Sequence, residues 1–123
     1  MGKLVSDYVL DDALNHIKNY GTRWVICSSC ATDYTTMSAL KLGEVGASAS
    51  DYTVADGTTG RKVTMVASSG NTVATTGEYN HLCIGTATGS AVLLYQTTGT
   101  AENLTATNKF DIPSWSITIA DPT

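Results

Sequence analysis

Trp115-Ser116-Ile117-Thr118-Ile119-Ala120 alternates large apolar residues with small ones. Successive side chains of a strand point to opposite faces, so the spacing predicts a strand with Trp115, Ile117 and Ile119 on one face and Ser116, Thr118 and Ala120 on the other. One buried and one solvated face is the mark of an antiparallel sheet. Working back along the chain, further short segments read the same way. Residues 108–112 precede Pro113 as a strand. Residues 91–96 form a wholly apolar run suited to a sheet interior. Residues 78–84 set Tyr79, His81 and Cys83 against Asn80, Leu82 and Ile84. Residues 61–67 set Val63, Met65 and Ala67 against Lys62, Thr64 and Val66. Residues 52–55 and 23–27 are short and β-prone, and Val45 and Ala47 begin a weak strand.

Turn chemistry separates these segments. Asp56-Gly57, Ser69-Gly70-Asn71 and Thr88-Gly89-Ser90 are read as hairpin connections. Thr-Thr-Gly occurs at 58–60, 75–77 and 97–99. The copies are unevenly spaced, so they punctuate strand ends and turns and do not make a repeat. The fold class that follows is mainly β: an antiparallel β-sandwich or Greek-key barrel of about seven or eight short strands.

Only residues 6–21 break the pattern. Ser6 suits an N-cap, because its hydroxyl can accept a bond from a free backbone N–H. Asp7, Asp11 and Asp12 lie at the positive end of the helix dipole. Leu10, Ala13, Leu14, Ile17 and Tyr20 follow helical spacing and form one stripe. Lys18 falls in the last turn, and Gly21 fits the left-handed position after it. One such helix cannot bury itself, so its stripe must lie on a sheet or on a neighbouring chain. Residues 28–40 are small and polar, and read as a loop with at most one helical turn, anchored by Met37 and Leu40.

The chain has 123 residues, which predicts a single domain over 1–123, with the helix at about 6–21 and a β-rich body over about 22–121. That length can bury a core without disulfide staples. Charged residues make up 15 %, against about a quarter in typical globular chains. Thr is the commonest residue, and it favours half-buried pleated surfaces. The net charge is −4, and the 7 basic residues are scattered, with Arg61-Lys62 the longest cluster. A nucleic-acid partner needs a dense phosphate-neutralising face, so none is expected. No secretory h-region and no run of membrane-spanning length is read, so synthesis in a reducing cytoplasm is expected and no membrane partner. An odd number of cysteines, 3, argues against a disulfide framework.

Several constellations invite chemistry. Cys27-Ser28-Ser29-Cys30 follows an apolar strand, but a thioredoxin-type pair needs alternating β/α units that this pattern lacks. Cys27 and Cys30 with His81 and Cys83 would make a Cys₃His zinc set. Against it, His81 and Cys83 form no knuckle, and free cysteine packs as a small hydrophobe. Asp51 and Asp56 could serve a glycosidase or hold calcium, yet Asp56-Gly57 is turn chemistry. His16 reads as solvated and His81 as a hydrogen-bonded strand residue; a serine triad through His81 has no supporting elbow motif. Trp24 and Trp115 could stack a sugar, but each is embedded in an apolar strand and reads as core. No catalytic, cofactor-binding or metal-binding residue is assigned, no cofactor is expected, and the chain is not read as an enzyme.

Taken together, the helix at 10–20, DYTVADGTTGRKV at 51–63, the strands at 80–85 and 91–97, and LTATNKFDIPSWSITIADP at 104–122 resemble small virion structural proteins of tailed bacteriophages. Such proteins are described as capsid decoration or head-associated proteins. The cysteine pair departs from their pattern, and no catalytic residue is attributed to them. The resemblance implies a virion location, after assembly in the host cytoplasm. It implies a decoration or cement role on the outer head lattice, with the major capsid protein or another virion protein as partner. Cyclic symmetry would let a small domain bury more area, so a homo-oligomer is expected, with a trimer favoured. A tail, collar or fibre-base component is the structural alternative; a small carbohydrate-binding or adhesion module is the alternative of another class. The free helix stripe and the apolar run at 91–95 are the candidate burial surfaces.

Overall fold

The computed structural model describes residues 5–86 and 91–122. Helix α1 (Asp7–Tyr20) is followed by strand β1 (Arg23–Cys27), a short helix α2 (Tyr34–Ala39) and β2 (Lys41–Gly46). A 3-10 turn, Ala49–Asp51, leads into β3 (Tyr52–Asp56), β4 (Arg61–Met65) and β5 (Ser68–Thr72). The long strands β6 (Gly77–Thr86) and β7 (Val92–Leu104) precede β8 (Lys109–Ile112) and β9 (Trp115–Ile119). Among the described residues these nine strands pair only antiparallel. They form a four-stranded sheet ordered β2-β1-β6-β7, a three-stranded sheet β3-β4-β9 and a β5-β8 ribbon. The chain is thus a mainly β antiparallel sandwich with one N-terminal helix.

The two larger sheets share one core. Trp24 and Ile26 of β1 and Leu82 and Ile84 of β6 pack in one buried cluster with Tyr52, Val63, Met65 and Ile117 of the three-stranded sheet. The reverse face of β1 and β6, with Val25, Cys27 and Cys83, packs under Met37 of α2. These central strands are therefore covered on both faces, which is why β1 reads as an unbroken apolar run. In β9 Ile117 is buried and Trp115 and Ile119 half-buried, while Ser116 and Thr118 are exposed, in agreement with the period-2 reading.

Helix α1 lies on its own chain, against β3, β4 and β6. Ser6 caps it by accepting from the Tyr8 N–H. Leu10 and Leu14 are buried and Ile17 packs on the core. Ala13 and Tyr20, expected on the stripe, are exposed. At 3.6 residues per turn they fall on one flank of the arc that Leu10, Leu14 and Ile17 occupy, beyond the reach of the sheet. Arg61 of β4 anchors the helix, donating to Asp11 Oδ1 at 2.7 Å and to Asp56. Gly21 closes the helix with φ −79°, so it is not the left-handed cap expected. Space selects it instead: a Cβ there would stand 2.5 Å from the Tyr52 hydroxyl and 2.6 Å from the Ile17 carbonyl.

Other expectations shift. The apolar run at 91–95 is not interior: β7 ends its sheet, and Val92 is 44 % exposed. Composition shows that such a run can be buried, but not which sheet position it takes. Residues 34–39 are a true helix, capped by Asp33, whose carboxylate accepts from the Thr36 N–H at 2.8 Å. Ser69-Gly70-Asn71 is a bulge within β5, not a hairpin. Gly70 there has φ +70°, and its N–H donates to Asp111 Oδ1 at 2.8 Å. Thr97-Thr98-Gly99 lies inside β7 beside a register shift, away from any turn. Thr58-Thr59-Gly60 does sit in the β3–β4 turn, where Gly60 adopts φ +67° and a side chain would meet the Ile119 carbonyl at 2.0 Å. The Thr88-Gly89-Ser90 turn lies outside the described residues.

Candidate functional site

A groove of about 410 Å³ lies between the far end of β6–β7 and the β8–β9 connection. Ile26, Leu82 and Ile112 supply its apolar base; one wall carries β7 residues from Thr97 to Leu104, and the other Phe110, Pro113 and Trp115. Local sequence positions each wall. Pro113 separates β8 from β9, and Ser114 ties the connection down by donating to the Met65 carbonyl at 2.9 Å. On the β7 side, Tyr79 lies so close over Gly99 that a Cβ there would stand 2.1 Å from its hydroxyl. Burial pushes the Tyr79 phenol up, with Cys83 and the Glu102 charge adding to it. Glu102 and Asp111 both line the groove and are exposed, with Asp111 Oδ1 held by the Gly70 N–H at 2.8 Å.

Trp115 lines this groove, half-buried, with Trp24 edge-on at 6.1 Å and Tyr95 at 6.3 Å. Its enclosed indole N–H meets no acceptor among the described residues. Trp24 is wholly inside, donating to the Tyr52 hydroxyl at 2.8 Å. The two tryptophans therefore form no exposed platform together. Trp115 packs against the core, as its apolar strand implies, and also lines a groove that no local pattern around it announces.

Two of the three cysteines pack in the core as small apolar residues. Cys27 and Cys83 lie side by side across β1 and β6, with their sulfurs 3.8 Å apart and fully buried. Cys30 is exposed and joins them through Gln96, whose Nε2 donates to its sulfur at 3.0 Å. Gln96 also donates to the Ala31 carbonyl and accepts from the Ala31 N–H, so it stitches the loop after β1 to β7. His81 is engaged with Asn80, Nδ1 to Oδ1 at 2.6 Å. Among the described residues no three His, Cys, Asp or Glu side chains converge as a metal-holding group. The Cys83 thiol is pushed up by its bond to Cys27 and by burial, while the same bond draws the Cys27 thiol down.

Asp51 and Asp56 serve local structure. Asp51 accepts from the Ser48 N–H at 2.8 Å, and Asp56 pairs with Arg61. His16 stacks on Tyr20, ring centroids 4.7 Å apart, on the exposed side of α1. Comparison with family models, with curated proteins and with solved structures gives no match to this chain.

Proposed function

We propose that this chain is a structural component of a tailed-bacteriophage particle: a decoration or cement protein that docks on the outer head lattice as a homo-oligomer, with a trimer favoured. One observation carries the reading. Helix α1 satisfies its own sandwich through Leu10 and Leu14, yet leaves Tyr8 78 %, Val9 58 % and Tyr20 51 % exposed. Val9, Ala13 and Tyr20 share one flank, so this apolar surface is surplus to folding. Burying such surface yields roughly 25 cal/mol per Å², and repetition over symmetric copies makes a modest patch effective. Mechanically, each copy bridges neighbouring capsomers and raises the cost of separating them. The sequence resemblance and the low charge support the same reading.

Val9→Asp with Tyr20→Lys tests it. The double variant keeps the thermal stability of the parent, because both side chains are exposed, but loses co-sedimentation with emptied phage heads. Undiminished co-sedimentation removes the helix flank as the docking surface. A tail, collar or fibre-base position remains the alternative within the same class. The carbohydrate-binding alternative would draw on Trp115 and on exposed tyrosines such as Tyr8 and Tyr20, since Trp24 is enclosed.

A further inference from the structure

We infer that the groove beside β7 takes an extended peptide segment of a partner protein, one that places an aliphatic side chain on the groove base and a lysine or arginine beside it. The inference goes beyond the virion reading and stands without it, since it rests on the groove alone. Four observations carry it. First, about 410 Å³ lies within the span of formed ligand sites, and the base is aliphatic. Second, β7 ends its sheet, so among the described residues no strand pairs with its outer row of N–H and C=O groups. Such an edge is a template for one more strand. Third, the groove is elongated. Its lining follows β7 from Thr97 to Leu104 and faces 110–115 across the gap, so it matches an extended chain better than a compact molecule. Fourth, Glu102 is in the lining, exposed, and in no salt bridge among the described residues. In a chain of net charge −4 it selects a cationic side chain. The hydroxyls of Thr97, Thr98 and Thr100 add donors and acceptors along the same wall.

The segment adds to β7 through main-chain hydrogen bonds, and alternate side chains enter the groove. Backbone pairing supplies affinity, and the aliphatic base with the Glu102 carboxylate supplies selectivity. The test titrates ¹⁵N-labelled protein with the capped hexapeptide Val-Thr-Lys-Thr-Val-Thr, whose valines and lysine share one face of a strand, and with the same peptide carrying glutamate in place of lysine. The lysine peptide shifts amide signals over 97–104 and 110–115 saturably, and the glutamate peptide binds at least about ten-fold more weakly, a difference of about 1.4 kcal/mol. Glu102→Lys removes the preference for lysine, and Glu102→Gln, a milder change, weakens it; both are at an exposed position. N-methylation of alternate peptide amides abolishes binding if a strand is added. Absence of saturable shifts, equal binding of both peptides, or a preference unchanged in either Glu102 variant overturns the inference. So does full binding of the N-methylated peptide, or binding of benzylamine as tight as that of the lysine peptide, which would assign the groove to small amines.

Discussion

Tyr52 links three elements through one hydroxyl. It accepts from the Trp24 indole N–H at 2.8 Å and donates to the Gly21 carbonyl at 2.5 Å, which joins β1, β3 and the end of α1. Phenylalanine at this position would strand a buried donor and a buried acceptor together. Tyr52→Phe therefore lowers stability by about 1–3 kcal/mol, measured by urea denaturation at neutral pH. The same residue sets an alkaline limit. Burial pushes the Tyr52 phenol up to about 12, from 10 when unfolded. The folded state then holds a proton that the unfolded state has lost. This contribution is fully present below pH 10 and disappears as pH rises toward 12. Denaturation curves across that window fall with pH in the parent and fall less steeply in Tyr52→Phe. Thiol accessibility gives an independent check at the residue scale. Cys30 is exposed while Cys27 and Cys83 are buried, so a thiol reagent titrates one sulfhydryl in the native protein and all three in denaturant. Three fast thiols in the native state would contradict the packing of Cys27 and Cys83 beneath α2.

At the scale of elements, the β7–β8 turn stores strain. Thr107, β-branched, adopts φ 76°, a region that β-branched residues avoid, while its N–H donates to the Val73 carbonyl at 2.9 Å. Thr107→Gly keeps that bond and relieves the backbone, so the thermal midpoint rises by the equivalent of about 1 kcal/mol. An unchanged or lower midpoint would show that the threonine side chain compensates. Element type was largely legible where period and capping agreed. Strand β9 showed its two faces in Trp115–Ile119, and α1 showed its start in Ser6. Burial on both faces hid other features. A central strand and an edge strand look alike when both are apolar, so 91–95 suggested an interior position that β6 occupies instead. Helix α2 was signalled only by Asp33 and Thr36, a three-residue capping spacing inside a polar stretch, and β5 was masked because its bulge uses the same Ser-Gly-Asn residues as a turn. The groove was illegible for a different reason: it arises where β7 stands apart from the β8–β9 connection, a relation between segments distant in sequence.

For the whole molecule, fold and surface divide the work. Two sheets and a helix bury a shared core, Arg61 clasps the helix through Asp11, and no described helix is long and apolar enough to cross a membrane. What remains outside is a flank of α1 and the open edge of β7, one suited to a flat lattice and the other to an extended strand. In the proposed role these surfaces hold neighbouring subunits together. A cryo-EM map of the parent phage particle tests that role most directly. The account predicts this sandwich on the outer head at a fixed copy number per capsomer, with the Val9 and Tyr20 flank of α1 buried against the lattice. A complete particle map without this chain on the head would contradict it.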